Sequence, residues 1–186
     1  MNNTRRKFLS SISMLAASFS FPIDAFSFYK KKKLRIVLVG TGIRGTSFWG
    51  RRLVEQYSEV LEFVGLCDTN IGRLKYDQNF IGTNCKTYLN FDKMLNEQKP
   101  DLVIVCTVDN THHEFIIKGL KSGIDVLTEK PLTTDEFKAQ SILNAEKESG
   151  KKLIVGFNYR WSPYTTEIKK LLMKNIIAVS YTHLRA

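Results

Sequence analysis

Leu34-Arg35-Ile36-Val37-Leu38-Val39 runs directly into Gly40-Thr41-Gly42-Ile43-Arg44-Gly45, and the reading of this stretch decides the fold. The first half is apolar except for Arg35, as expected of a strand buried in a sheet. The second half has the spacing G-x-G-x-x-G and leads into a helix-like stretch. In that context the first glycine permits a tight turn and the second lets backbone approach a phosphate. The third lets the helix pack on the strand. The helix N-terminus then offers free N–H groups and a positive dipole end to an anion. Asp68 ends the next apolar run, at the distance where a second strand delivers an acid to a ribose. Turn and acid together predict a site for a dinucleotide, with Gly40, Gly42 and Gly45 at the pyrophosphate and Asp68 at a ribose. A carboxylate accepts hydrogen bonds from ribose hydroxyls and repels a 2′-phosphate, so NAD is favoured over NADP. Arg73, close by in sequence, softens that preference.

Outward from this stretch, strand-like runs alternate with helical patterns, which predicts a parallel sheet with helices on both faces. Strands are expected over 34–39, 63–67, 85–88, 102–106, 126–128 and 153–157. The first helix is expected over 44–57 with Phe48, Leu53 and Tyr57 inward, and a short one over 70–79. Phe91, Met94 and Leu95 mark one helical face, and a further helix over 113–122 ends at Gly123. Thr133-Thr134-Asp135-Glu136 reads as a capping box for a helix that stops at Gly150. Ser162-Pro163 opens another helix with a cap and an N1 proline. The fold class is therefore α/β, a doubly wound parallel sheet. Its dinucleotide-binding domain spans 33–157, and 158–186 is expected to be the start of a truncated second region. Residues 178–186 carry no continuation of the pattern, and a truncated or frame-shifted end is expected there.

The chain has 186 residues, 43% hydrophobic and 25% charged, which is the composition of a globular protein with a substantial core. Its net charge of +10 overstates how basic the body is. Three of the 28 basic residues are Arg5, Arg6 and Lys7, and four form the run Lys30–Lys33. No nucleic-acid-binding motif accompanies them, so a nucleic-acid partner is not expected. The three cysteines make no disulfide framework and no metal-ligand spacing. Cys67 and Cys106 lie in apolar runs, where a thiol acts as a small hydrophobe, and Cys85 lies in a loop.

Thr4-Arg5-Arg6-Lys7-Phe8-Leu9-Ser10 resembles the twin-arginine export motif. The moderately apolar stretch after it is shorter than the ~20 residues that span a bilayer. Ala25-Phe26-Ser27 offers small residues for cleavage. Residues 1–27 are thus expected to be a signal peptide read by the twin-arginine machinery, with a periplasmic or other extracytoplasmic destination. That route carries folded proteins, which agrees with a cofactor captured before export.

Glu129-Lys130-Pro131 stands just after the fifth strand, where ligands of an open parallel sheet bind. Lys130 is placed to polarise a substrate oxygen or exchange a proton with it. Glu129 is expected to hold that amine, and Pro131 to stiffen the turn. Two further stretches end strands: Cys106-Thr107-Val108-Asp109-Asn110-Thr111-His112 the fourth, and Gly156-Phe157-Asn158-Tyr159-Arg160 the sixth. With the glycine turn, these motifs resemble the Gfo/Idh/MocA family over residues 33 to 172. The resemblance implies an NAD(P)-dependent oxidoreductase acting on a sugar, polyol or similar hydroxyl compound, and a homo-oligomer for a full-length protein. It implies that Ile43 and Arg44 supply backbone in the pyrophosphate turn and that Asp68 binds the adenine ribose. Thr107 and His112 would line the cofactor, with Glu129 beside it. Lys130 would be catalytic, and Asn158 and Arg160 would lie near nicotinamide and substrate. The family usually has proline where Val108 stands, and its Asp-x-x-x-His acid/base pair does not follow Arg160. Two other readings remain open: an NAD-dependent glycosidase of the same fold, and a non-catalytic module that holds NAD.

Overall fold

The computed structural model describes residues 32–174 and residue 176, without the side chains of Asn158 and Trp161. The expected leader over 1–27 and the suspect tail over 178–186 lie outside the described residues. Six strands form one sheet: β1 (Leu34–Val39), β2 (Leu61–Cys67), β3 (Lys86–Tyr88), β4 (Leu102–Val105), β5 (Asp125–Glu129) and β6 (Leu153–Gly156). Every pair is parallel and the order is β3-β2-β1-β4-β5-β6. The winding direction reverses between β1 and β4, which opens a crevice beyond their carboxyl ends.

Alternation along the strands builds a core on each face. Val37, Val39, Val103, Val105 and Val126 face α3 (Phe91–Gln98), α4 (His112–Lys121) and α5 (Glu136–Ser149), meeting Met94, Ile116, Leu120 and Ile142. Ile36, Leu38, Phe63, Leu66 and Ile104 face the other way, onto Leu74 and Ile81 of α2 (Ile71–Ile81). Ile36, Leu38 and Ile104 are at most 1% exposed, and each such side chain stabilises the fold by about 1.5–3 kcal/mol. The last helix among the described residues, α6 (Pro163–Met173), has Ser162 as its cap and Pro163 at its start, as its sequence predicts.

Helix α1 departs from expectation. It is π-wound over Arg44–Arg51 and α-helical only over Arg52–Tyr57. A reading with period 3.6 loses phase across the wider winding. In the π-wound part Trp49 packs on the core in place of the expected Phe48. Beyond it Leu53 packs as expected, with Val54, while Tyr57, expected inward, is the last residue of the helix and 49% exposed. Gly50 lets the helix approach α2, since a Cβ there would meet Cδ1 of Ile81 at 2.5 Å.

Smaller corrections are local. Asp135, not Thr133, caps α5: its carboxylate accepts from the Lys138 N–H at 2.9 Å. α2 starts after Asn70, whose side chain accepts from the N–H groups of Gly72 and Arg73, and stops at Gly82 in the left-handed region. β4 ends at Val105, yet the Cys106 N–H still donates to the Val39 carbonyl at 2.8 Å. β5 is longer at both ends than predicted and takes Glu129 into the sheet.

Candidate active site

The glycine turn joins β1 to α1 at the reversal point. Gly40 has φ +88°, and a Cβ there would lie 2.5 Å from backbone atoms of Cys106 and Thr107. Only glycine fits between the first turn and the end of β4. A Cβ on Gly45 would meet the Gly40 carbonyl oxygen at 2.2 Å, so the third glycine lets helix and turn touch. Gly42 is different, because a Cβ there meets nothing within 4 Å. Protein packing therefore does not demand a glycine at 42. The space is open on the cleft side, where a bound anion would need it. The residues present fit a dinucleotide phosphate.

Asp68 follows β2 and is held from two sides. Its Oδ2 accepts from the Thr41 N–H at 2.8 Å and from the Thr41 hydroxyl at 3.1 Å. Its Oδ1 accepts from the Asn70 N–H at 2.8 Å. The acid and the turn thus form one rigid unit. In front of them opens a cleft of about 510 Å³, whose lining includes Gly42, Asp68, Arg73, Leu89, Thr107 and Phe115. Leu89, Val108 and Phe115 make its apolar wall, and Asp68 contributes fixed charge, a combination that suits a flat base attached to a ribose.

Thr107 borders that cleft, and its Oγ1 accepts from the Thr111 hydroxyl at 3.0 Å. His112 is 1% exposed and does not border it. Its ring sits between two carbonyl oxygens, Nδ1 at 2.8 Å from Pro131 and Nε2 at 3.1 Å from Thr107. It ties the loop after β4 to the loop after β5.

Glu129 ends β5 with its side chain 7% exposed. Oε1 accepts from Arg44 Nε at 2.6 Å and from Trp49 Nε1 at 2.8 Å, and Oε2 accepts from the Lys130 backbone N–H at 3.2 Å. The expectation that Glu129 holds the Lys130 amine is therefore corrected. The carboxylate holds the Lys130 main chain, because Arg44 and Trp49 claim its free oxygen. Lys130 itself is exposed beyond the strand end, and its bond to Pro131 is cis. Asn158 and Arg160 lie in a 3-10 turn, Asn158–Trp161, just after β6, with Arg160 exposed. Gly156 of β6 pairs with Glu129 of β5.

The sheet brings the turn, Asp68, Thr107, Glu129, Lys130 and the 158–160 stretch to its carboxyl edge. Sequence reasoning missed Thr41 as the partner of Asp68, and it missed Trp49 entirely. The thiols at this edge are not nucleophiles at neutral pH. Burial first, then the charge of Asp68, pushes Cys67 up to about 12. Burial, then Glu129, pushes Cys106 up as well. Among the described residues no group of three or more His, Cys, Asp or Glu comes together to hold a metal ion.

Comparison with known proteins agrees with this geometry. Residues 34–157 match the family model described as "Oxidoreductase family, NAD-binding Rossmann fold". YteT of Bacillus subtilis (strain 168) is 35% identical over 150 residues, covering 74% of this chain and 33% of that protein. An inositol 2-dehydrogenase/D-chiro-inositol 3-dehydrogenase of Lactiplantibacillus plantarum is 28% identical over 145 residues, covering 77% of this chain and 41% of its own length. A crystal structure of the WlbA dehydrogenase from Bordetella pertussis, in complex with NADH and UDP-GlcNAcA, superposes with a TM-score of 0.71. It is 25% identical, over 77% of this chain and 43% of that one. The chain thus spans a third to two-fifths of the length of the curated relatives it matches. This chain belongs to the Gfo/Idh/MocA oxidoreductase family and carries that family's NAD-binding Rossmann fold.

Proposed function

We propose that residues 33–157 are the cofactor domain of an NAD-dependent dehydrogenase that oxidises a hydroxyl of a sugar or polyol, and that 158–186 begin a second region. The observation that carries the reading is the shared carboxyl edge. The open side of Gly42 and the fixed carboxylate of Asp68 lie at the ends of β1 and β2, and Lys130 follows β5 in the same sheet. The relatives named as inositol dehydrogenases, and the sugar-nucleotide complex of WlbA, support the substrate class.

In this reading the backbone of Gly40 to Gly45, including Ile43 and Arg44, holds the pyrophosphate. Asp68 takes the adenine ribose hydroxyls, and Thr107 borders the bound molecule. His112 acts from behind, by fixing the loops that carry Thr107 and Lys130. Bound NAD supplies the hydride acceptor. The Lys130 amine takes the proton that leaves the substrate hydroxyl as its carbon gives up hydride, directly or through a partner from beyond this chain. Asn158 and Arg160, just after β6, stand near the nicotinamide and substrate. The first 27 residues direct the folded protein through the twin-arginine route out of the cytoplasm, and the full-length protein is a homo-oligomer.

Calorimetric titration of the folded chain with NAD tests the binding step. Saturable heat is expected, weaker with NADP, and a folded chain that releases none with either coenzyme overturns the reading. Fusing the leader to a reporter that folds in the cytoplasm tests export, which should fail when Arg5 and Arg6 are both replaced by lysine.

A further inference from the structure

Trp49 has no place in the cofactor reading, yet its indole N–H reaches a catalytic-side carboxylate. Arg44 and Trp49 are five residues apart and both donate to the same oxygen of Glu129, at 2.6 and 2.8 Å. In an α-helix, residues five apart point about 140° away from each other. The π-winding of Arg44–Arg51 stacks them instead, because its hydrogen bonds run from i to i+5. The unusual winding is what lets one carboxylate take both donors.

The indole is also seated. Its Cζ2 lies where a Cβ on Gly156 would come within 3.2 Å, so the absent side chain at 156 makes room for it. Gly156 is the sheet partner of Glu129. Trp49 therefore spans the ends of β5 and β6, the strands that lead into Lys130 and into Asn158 to Arg160. Phe48 braces the ring edge-to-face at 5.1 Å, and the Arg44 guanidinium covers Phe48 at 3.9 Å. The other oxygen of Glu129 receives the Lys130 backbone N–H. A chain of contacts thus runs from the pyrophosphate turn, through Arg44, Trp49 and Glu129, to the main chain of the lysine.

We propose that Trp49 is a positioning residue for Lys130: with Arg44 it locks Glu129, and through Glu129 the Lys130 turn, so that a dinucleotide seated on the glycine turn meets a lysine already in place. The inference rests on the NAD-binding reading above. Trp49 does not touch the cleft that Asp68 and Gly42 border, so its loss separates binding from positioning.

The test uses the whole chain and dilute acetic anhydride, with lysine acetylation mapped by mass spectrometry and NAD affinity measured on the same samples by calorimetry. Lys121, exposed on α4, is the internal control. In the unaltered chain, saturating NAD is expected to slow acetylation of Lys130 at least tenfold and to leave Lys121 unchanged. Trp49→Phe, which keeps a ring and loses the N–H, should bind NAD within threefold of the original affinity, while protection of Lys130 falls below threefold. Arg44→Lys should lower the protection in the same direction. A purely structural role would move both lysines, or neither. Full protection of Lys130 in Trp49→Phe at saturating NAD overturns the inference, and so does a Lys130 that NAD never protects in the unaltered chain. If the unaltered chain gives no heat with NAD, the binding reading itself fails and takes the inference with it. That outcome is told apart by the calorimeter alone.

Discussion

Thr41 and Asp68 sit on different strand ends and share two hydrogen bonds, from the Thr41 N–H at 2.8 Å and from its hydroxyl at 3.1 Å to one carboxylate oxygen. The acid proposed for the ribose is thereby fixed to the turn proposed for the phosphate. Less reorganisation is left for the moment of binding, which is how pre-organised sites gain affinity.

Replacing Asp68 by Asn removes the charge and turns one of the two oxygens that accept backbone N–H groups into an NH2. A hydrogen bond to a charged group contributes about 1.5–3 kcal/mol, so NAD affinity should fall roughly ten- to hundredfold. NADP should lose less, because the repulsion of its 2′-phosphate goes at the same time. Parallel calorimetric titrations with the two coenzymes check the ratio. An unchanged preference would mean that Asp68 does not choose between them.

Gly45→Ala drives a methyl group into the Gly40 carbonyl, 2.2 Å from the ideal Cβ. The obstacle is backbone, so the helix must shift, at about 1–3 kcal/mol. Urea unfolding should show that loss. Gly42→Ala, which meets nothing in the protein, should leave the unfolding midpoint nearly unchanged and weaken NAD binding instead. The pair of variants separates packing from ligand approach.

His112→Ala leaves the Pro131 and Thr107 carbonyls facing a cavity at a 1%-exposed position. Lost packing and the lost ring N–H together should cost about 2–4 kcal/mol, measurable as a lower urea midpoint. His112→Asn, whose amide can still donate to one of the carbonyls, should recover part of it.

Burial holds the Cys67 thiol at about 12, against an ordinary value near 9. The folded state thus keeps a proton that the unfolded chain gives up in this window. Stability contributed by this group is complete below pH 9 and is lost as pH rises towards 12. Cys67→Ala should flatten that alkaline limb in thermal melts recorded from pH 8 to 11. At pH 8, a thiol reagent should label Cys67 only after denaturant is added.

The strands, the glycine turn and Asp68 were legible because their signals are local. An apolar run, a tight-turn spacing and an acid at a strand end each follow from neighbours along the chain. Phe48 was misread as the inward residue in place of Trp49 because the period of 3.6 assumes α-winding, and nothing in Arg44–Arg51 announces a π-helix in one sequence. Tyr57 was misread because the helix ends on it. The role of Glu129 was misread for another reason. Lys130 is its neighbour in sequence, whereas Arg44 and Trp49 reach it from 85 and 80 residues away.

Read alone, the chain determined its parallel α/β architecture, the place of the dinucleotide turn and the order of motifs along the strand ends. Those follow from hydrophobic period and backbone sterics, which act between near neighbours. Only the tertiary structure decided which donor meets which acceptor: Thr41 with Asp68, His112 between two carbonyls, Trp49 and Arg44 on Glu129. Such pairings depend on where sheet register and helix winding set atoms to within a few tenths of an ångström, and residue order does not carry that information.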